Sequence, residues 1–211
     1  MSLWKAMTGY WSKGGSTGYD KVRIDGSTNT LTTIEYEHHE IHQGDAFSVH
    51  IDNTTANTND HRTLVGFETP GNTKWLHMVF TASASSPAEV FLVEGVTIDD
   101  DEGTEIVALD RNRNTANTST ILSLQNPAVA GSVTWMLEGE VADATFSYVR
   151  ILEHAQLVAG SGPKALGGTA RATREWILDQ GIKYAIWIQN IGDSVNLHEI
   201  HLDWYEHTDV H

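Results

Sequence analysis

The chain contains no cysteine, which removes disulfides, thiolate zinc sites and cysteine nucleophiles together, so packing or association must supply its stability. Basic residues are scarce: 13 Lys and Arg stand against 28 Asp and Glu, for a formal net charge of -15. Such a surface repels phosphate backbones and anionic membranes, and the expectation is no nucleic-acid partner and no membrane partner. No apolar run approaches the roughly 20 residues of a membrane-spanning helix, and the stretch MSLWKAMTGYWSKGGSTGYDK lacks the continuous apolar centre of a secretory leader. The reading is a protein made and used without Sec-type export.

What is present is a folded composition. Hydrophobic residues make up 40% of 211 positions, and seven Trp, six Tyr and five Phe give a core its bulk. Residues 1–25 are rich in Gly, Ser, Lys and aromatics without periodicity and read as an irregular N-terminal arm, leaving 26–211 as a single domain. That domain is a succession of short β-branched and aromatic runs: Leu31 to Tyr36, Ala46 to Asp52, Thr63 to Glu68, Trp75 to Ala82, Val90 to Val93, Glu105 to Leu109, Thr120 to Leu124, Ser132 to Leu137, Phe146 to Leu152, Trp176 to Leu178, Lys183 to Gln189 and Asn196 to Tyr205. Turn residues separate them at short spacing, so the fold class is all-β, a two-sheet sandwich or a barrel, with no amphipathic helix expected. Trp75 to Phe80 alternates little and predicts a strand covered on both faces, whereas Lys183 to Gln189 mixes both habits. The Gly-rich stretch 155–173 breaks the rhythm and predicts a long loop.

The most chemically loaded segment is Glu35 to Asp45, EYEHHEIHQGD. On a strand, His38, Glu40 and His42 would share one face, a set of imidazole and carboxylate groups that suits Zn, Mn, Fe or Ni. Alternate strand positions lie roughly 6–7 Å apart, so the outer two could share an ion only at a bulge or a subunit axis. Without one they form a structural or pH-sensitive histidine cluster. Asp99 to Glu102 is an acidic turn without the spaced oxygen pattern of a calcium loop. Gly160 to Lys164 resembles a phosphate loop only superficially, because its lysine follows proline and no Ser or Thr comes next. Arg111 and Arg113 flank Asn112 beside Asp110, in a pattern suited to an ion-pair network or to clamping a partner's carboxylates. Carboxylates and aromatics are numerous enough for a glycosidase, but nothing marks a catalytic pair or a nucleophile elbow.

Six segments taken in order carry a resemblance: STNTLTTIEYEHHEIHQGDAF, ETPGNTKWLHMVF, VEGV, ALDRNRNTANTST, REWILDQGIKYAIWIQN and HLDWYEHTD. Together they resemble virion structural proteins of tailed bacteriophages and prophages, over roughly Val22 to Asp209. The resemblance implies a non-enzymatic decoration or cement protein on the outer surface of the capsid, assembled in the host cytoplasm and built on a β sandwich of jelly-roll type. It further implies the major capsid protein as partner, self-association as a homotrimer, and no cofactor or metal. Trp4, Tyr10 and Trp11 are then the expected capsid contacts and Arg111 and Arg113 the expected subunit contacts. Two other readings stand beside it: a tail, baseplate or fibre protein binding a receptor glycan, and a cupin-like metal-dependent enzyme using His38, Glu40 and His42.

Overall fold

The computed structural model describes residues 10–12, 19–21, 36–53, 62–71, 74–97, 103–124, 128–137, 146–157, 169–171, 175–191 and 195–208. The chain divides into two compact units, Met1–His39 and Glu40–His211. In the first, β1 (Tyr10–Ser12) and β2 (Tyr19–Lys21) pair antiparallel with Tyr10 opposite Lys21, so the arm holds a short ladder. The unit boundary falls within α1 (Tyr36–Gln43), a helix where the strand-rich reading placed none.

The second unit contains β3 (Ala46–Asn53), β4 (Arg62–Glu68), β5 (Lys74–Ala84), β6 (Ala88–Glu94), β7 (Thr104–Val107), β8 (Leu109–Asp110), β9 (Leu122–Ser123), β10 (Ser132–Leu137), β11 (Arg150–Leu157), β12 (Thr169–Arg171), β13 (Trp176–Leu178), β14 (Lys183–Asn190) and β15 (His198–Thr208). They form two antiparallel sheets packed face to face, an all-β sandwich. One sheet runs β11-β6-β14-β4-β10-β7, with β9 on the end of β4. The other runs β12-β5-β15-β3-β8, with β13 also on β5. From β3 to β6 each successive strand changes sheet, as do β14 and β15, so neighbours in a sheet are distant in sequence.

Period-two alternation explains the core. Along β15, Ile200, Leu202 and Trp204 point inward while Glu199, His201 and Asp203 stay exposed. Along β5, Leu76, Met78, Phe80 and Ala82 meet them, and Val65, Phe67, Leu92, Tyr184 and Ile186 arrive from the opposing sheet. Each such side chain contributes roughly 1.5–3 kcal/mol when fully buried. A second apolar cluster covers the outer face of the first sheet, where Leu64, Val93, Met136 and Trp187 pack with Phe91 and Phe146. Trp187 stacks on Phe91 at 4.7 Å and takes Phe146 edge-on at 5.2 Å.

That second cluster reverses an expectation. Strands buried on both faces are β14, with Tyr184 to Ile188 all buried, and its neighbour β4, with Thr63 to Phe67 all buried, while β5 turns half-buried residues such as His77 and Val79 outward. The stretch 155–173 is also not one loop: Ala155–Leu157 complete β11 and Thr169–Arg171 form β12, and 158–168 and 172–174 lie outside the described residues. Of the expected strand Leu31 to Tyr36, residues 31–35 lie outside the described residues and Tyr36 opens α1. Gly95, at φ +67°, is required by both backbone and space, because a Cβ there would lie 2.5 Å from Val149 Cγ2.

Leu202→Ala should remove about 3 kcal/mol of unfolding free energy, and Val107→Ala on the exposed edge strand β7 less than about 0.5 kcal/mol, as read by urea denaturation.

Candidate functional site

The run Glu35 to Asp45 is helical where it is described, and this breaks up the expected face. At about 100° per residue, His38 and His42 stack one turn apart while Glu40 lies roughly 200° around. Glu40 is accordingly buried, 3% exposed, and His38 and His42 are exposed. The helix stops at Gly44, whose φ of +81° lets Gly44 N–H reach Ile41 O and Asp45 N–H reach Glu40 O, a Schellman cap. A Cβ at Gly44 would also collide with Thr115 Oγ1 at 2.6 Å.

The remaining carbonyls of α1 are capped by the loop after β8. Asn112 Nδ2 donates to His42 O at 3.0 Å, and Asn117 Nδ2 donates to Gly44 O at 3.0 Å. Asp110 organises that loop, its carboxylate accepting from Asn112 N–H, Thr115 Oγ1 and Asn117 N–H at 2.6–3.2 Å. Arg111 donates its backbone N–H to Ala46 O, and Arg113 Nη1 reaches Asp110 O, not the carboxylate, at 3.3 Å. Asn112 and Asn117 thus tie this loop to the C-terminal end of α1.

A titratable constellation among the described residues lies on the outer face of the second sheet. His77 on β5 and Tyr205 on β15 are register partners with rings 4.6 Å apart, and His207 follows two positions later on the same face. His77 Nε2 and His207 Nε2 stand 2.7 Å apart. His77 Nδ1 meets Tyr205 Oη at 3.0 Å and Glu175 Oε1 at 3.3 Å. His207 Nδ1 faces its neighbour's carbonyl, Thr208 O, at 3.0 Å.

These contacts assign the protons. A carbonyl only accepts, so His207 carries its hydrogen on Nδ1 and presents a bare Nε2. In the neutral pair His77 then donates from Nε2 and its Nδ1 accepts from the Tyr205 hydroxyl, while the contact with Glu175 Oε1 becomes a hydrogen bond when Nδ1 carries a proton. Burial holds the His77 pKa below the ordinary imidazole value, His207 adds to the depression, and Glu175 and Glu40 oppose it. Further along the same face His50 and His201 are cross-strand partners stacked at 3.9 Å, beside Asp52, Glu199 and Asp203.

Two polar networks are sealed inside the sandwich. Asn53 Nδ2 donates to Thr63 Oγ1, which donates to His198 Nδ1; His198 Nε2 donates to Asn190 Oδ1, and Asn196 Nδ2 donates to the same oxygen, all at 2.6–2.8 Å. This chain ties β3 and β15 of one sheet to β4 and β14 of the other. Glu206, 1% exposed, has its carboxylate surrounded by Ser119 Oγ, the Thr120 N–H and hydroxyl, and Trp204 Nε1. A buried carboxyl group with that many donors is a structural anchor for segment 119–120.

Among the described residues no group of three or more His, Asp or Glu side chains is arranged to hold a metal. Trp4, Asp99 to Glu102 and Gly160 to Lys164 lie outside the described residues, and of Tyr10 and Trp11 only the β1 backbone is described. His77, Glu175, Tyr205 and His207 were not grouped by the sequence, since the two histidines are 130 positions apart and only the β5–β15 register joins them. The chain matches no protein-family model and no curated protein.

Two measurements follow from this geometry. Thr63→Val leaves Asn53 Nδ2 and His198 Nδ1 without their buried partner and should cost roughly 2–4 kcal/mol in urea denaturation. Because the folded His77 pKa is lowered, the unfolded chain binds more protons, so the contribution of neutral His77 is present above about pH 6.5 and is lost as pH falls toward the folded value. The urea midpoint should therefore drop between pH 7 and 5 by less in His77→Gln than in the wild type.

Proposed function

We propose that this chain is a non-enzymatic bacteriophage decoration protein, a jelly-roll sandwich that binds the outer surface of the capsid as a homotrimer and bridges neighbouring capsomers. Strand order supports the jelly-roll part of this reading, and the apolar sheet margins carry its capsid part. The quartet β3-β15-β5-β12 faces the quartet β4-β14-β6-β11. With β7 to β10 and β13 set aside and the remaining eight strands of the sandwich numbered in chain order, this reads one-eight-three-six against two-seven-four-five, an order that supports a jelly-roll arrangement of two Greek keys. Viral coat domains, lectins and cupins share that architecture, so the choice among them rests on the surfaces.

Along the middle of the sandwich, between the two polar networks, the facing positions of β3, β5 and β15 include Phe47, Val49, Ile51, Met78, Phe80 and Leu202, all buried apolar groups. A cupin-like enzyme uses that interior for its metal, and here packed side chains fill it. Apolar residues left in solvent gather instead at sheet margins: Val107 and Leu109 at one, Val149 and Ile151 at another, Val195 and Leu197 at the 191–197 connection. Margins of this kind suit joints between subunits and capsomers, where several weak contacts reinforce one another through symmetry. The resemblance over Val22 to Asp209 supports the same assignment, with Trp4, Tyr10 and Trp11 toward the capsid and Arg111 and Arg113 between subunits.

Cryo-EM reconstruction of the virion together with quantitative mass spectrometry should place many copies on the head at threefold or quasi-threefold positions. Sedimentation of the isolated chain should give three times its 23.3 kDa mass. A few copies located on the tail, with binding on a glycan array, would replace this reading by that of a receptor-binding tail protein.

A further inference from the structure

We propose that His77 and His207 form a two-imidazole binding site for a divalent transition-metal ion of the zinc class, on the outer face of the β5–β15 ladder. The inference is independent of the capsid reading. It starts from proximity: the two Nε2 atoms stand 2.7 Å apart in a hydrogen bond, with ring planes 48° apart, so one ion can reach both nitrogens once the proton between them has moved. The other histidine pair differs in just this respect. His50 and His201 are stacked with planes only 12° apart, and parallel rings direct their lone pairs side by side.

The distal nitrogens are equally well placed. Ligating histidines donate their second N–H to a carbonyl or a carboxylate, which fixes the ring and raises its basicity. His207 Nδ1 has Thr208 O at 3.0 Å, and His77 Nδ1 has Glu175 Oε1 at 3.3 Å. Metal binding changes one tautomer only: the His77 proton leaves Nε2 and is carried on Nδ1, where Glu175 accepts it, and both Nε2 lone pairs go to the ion with no net proton released. Zn–N bonds of about 2.0–2.1 Å in a tetrahedral arrangement need the nitrogens roughly 3.3 Å apart, a small opening of two side chains. Burial keeps His77 neutral, as a ligand must be, while Glu175 and Glu40 supply negative potential. The His77 side chain keeps 12% of its surface exposed, and water would complete the coordination from that side.

The test is calorimetric titration of the full chain, prepared without a polyhistidine tag, with zinc chloride at pH 7.5. One equivalent should bind to the wild type and to the His50→Asn/His201→Asn double variant. Binding should disappear in His77→Gln and in His207→Gln, and weaken about tenfold in Glu175→Gln. Nitrogen-15 NMR of the wild type should show His77 passing from the Nε2–H to the Nδ1–H tautomer as zinc is added. The proposal is overturned by absence of zinc uptake in the wild type, by uptake that survives His77→Gln, or by an unchanged His77 tautomer at saturation. The wild-type tautomer and the half-exposed Glu175 substitution keep the test decisive even where a histidine variant folds poorly.

Discussion

The register of β15 is the constraint on which the rest of the molecule depends. It pairs with β3 from His198 to Tyr205 and with β5 from His198 to Thr208, so every one of its side chains is committed to a face. Inward go Ile200, Leu202 and Trp204 to the core, with His198 and Glu206 to the two sealed polar networks; outward go His201, Tyr205 and His207. A slip of one residue would exchange the two sets, exposing the core and burying five polar or ionisable side chains at once. Few alternatives lie close in energy to such an arrangement.

The two buried networks give the sandwich a specificity that apolar packing lacks. Phe, Leu and Ile tolerate small displacements between sheets, since dispersion is non-directional. The chain from Asn53 through Thr63 and His198 to Asn190 is directional, with each donor assigned one acceptor, and it crosses from one sheet to the other. At the other end of β15 Glu206 does the same for segment 119–120. The sheets are thereby pinned in relative position by groups whose loss would leave polar atoms buried without partners.

Much of the strand inventory was legible in the sequence because alternation and turn residues are local signals. Ala46 to Asp52, Thr63 to Glu68, Ser132 to Leu137 and Lys183 to Gln189 each coincide with an observed strand to within a residue or two. Helix α1 escaped because eight residues make barely two turns, and much of what ends it comes from Asn112 and Asn117, about 70 positions downstream. The face assigned to His38, Glu40 and His42 failed with it, since a period of two became one of 3.6. Coverage of β5 and β14 was misjudged for a related reason: whether a strand's outer face is covered depends on which distant segment lies over it, as Leu124 and Phe146 do for the first sheet. The histidines that do meet, His77 with His207 and His50 with His201, are joined through pairing between distant strands, to which local patterning is blind.

The place of β15 in the sheet also orders the chain's maturation. It is central in space, between β3 and β5, yet it is translated after every other strand of both sheets. Until it emerges, β3 and β5 each present an open edge and an apolar face with nothing between them, and the polar partners of His198 and Glu206 have nothing to close on. The second sheet is thus complete only when the last described strand lies between two that precede it in the chain. Its late stage is a vulnerable interval in which open edges of two nascent chains can find each other before the missing strand arrives.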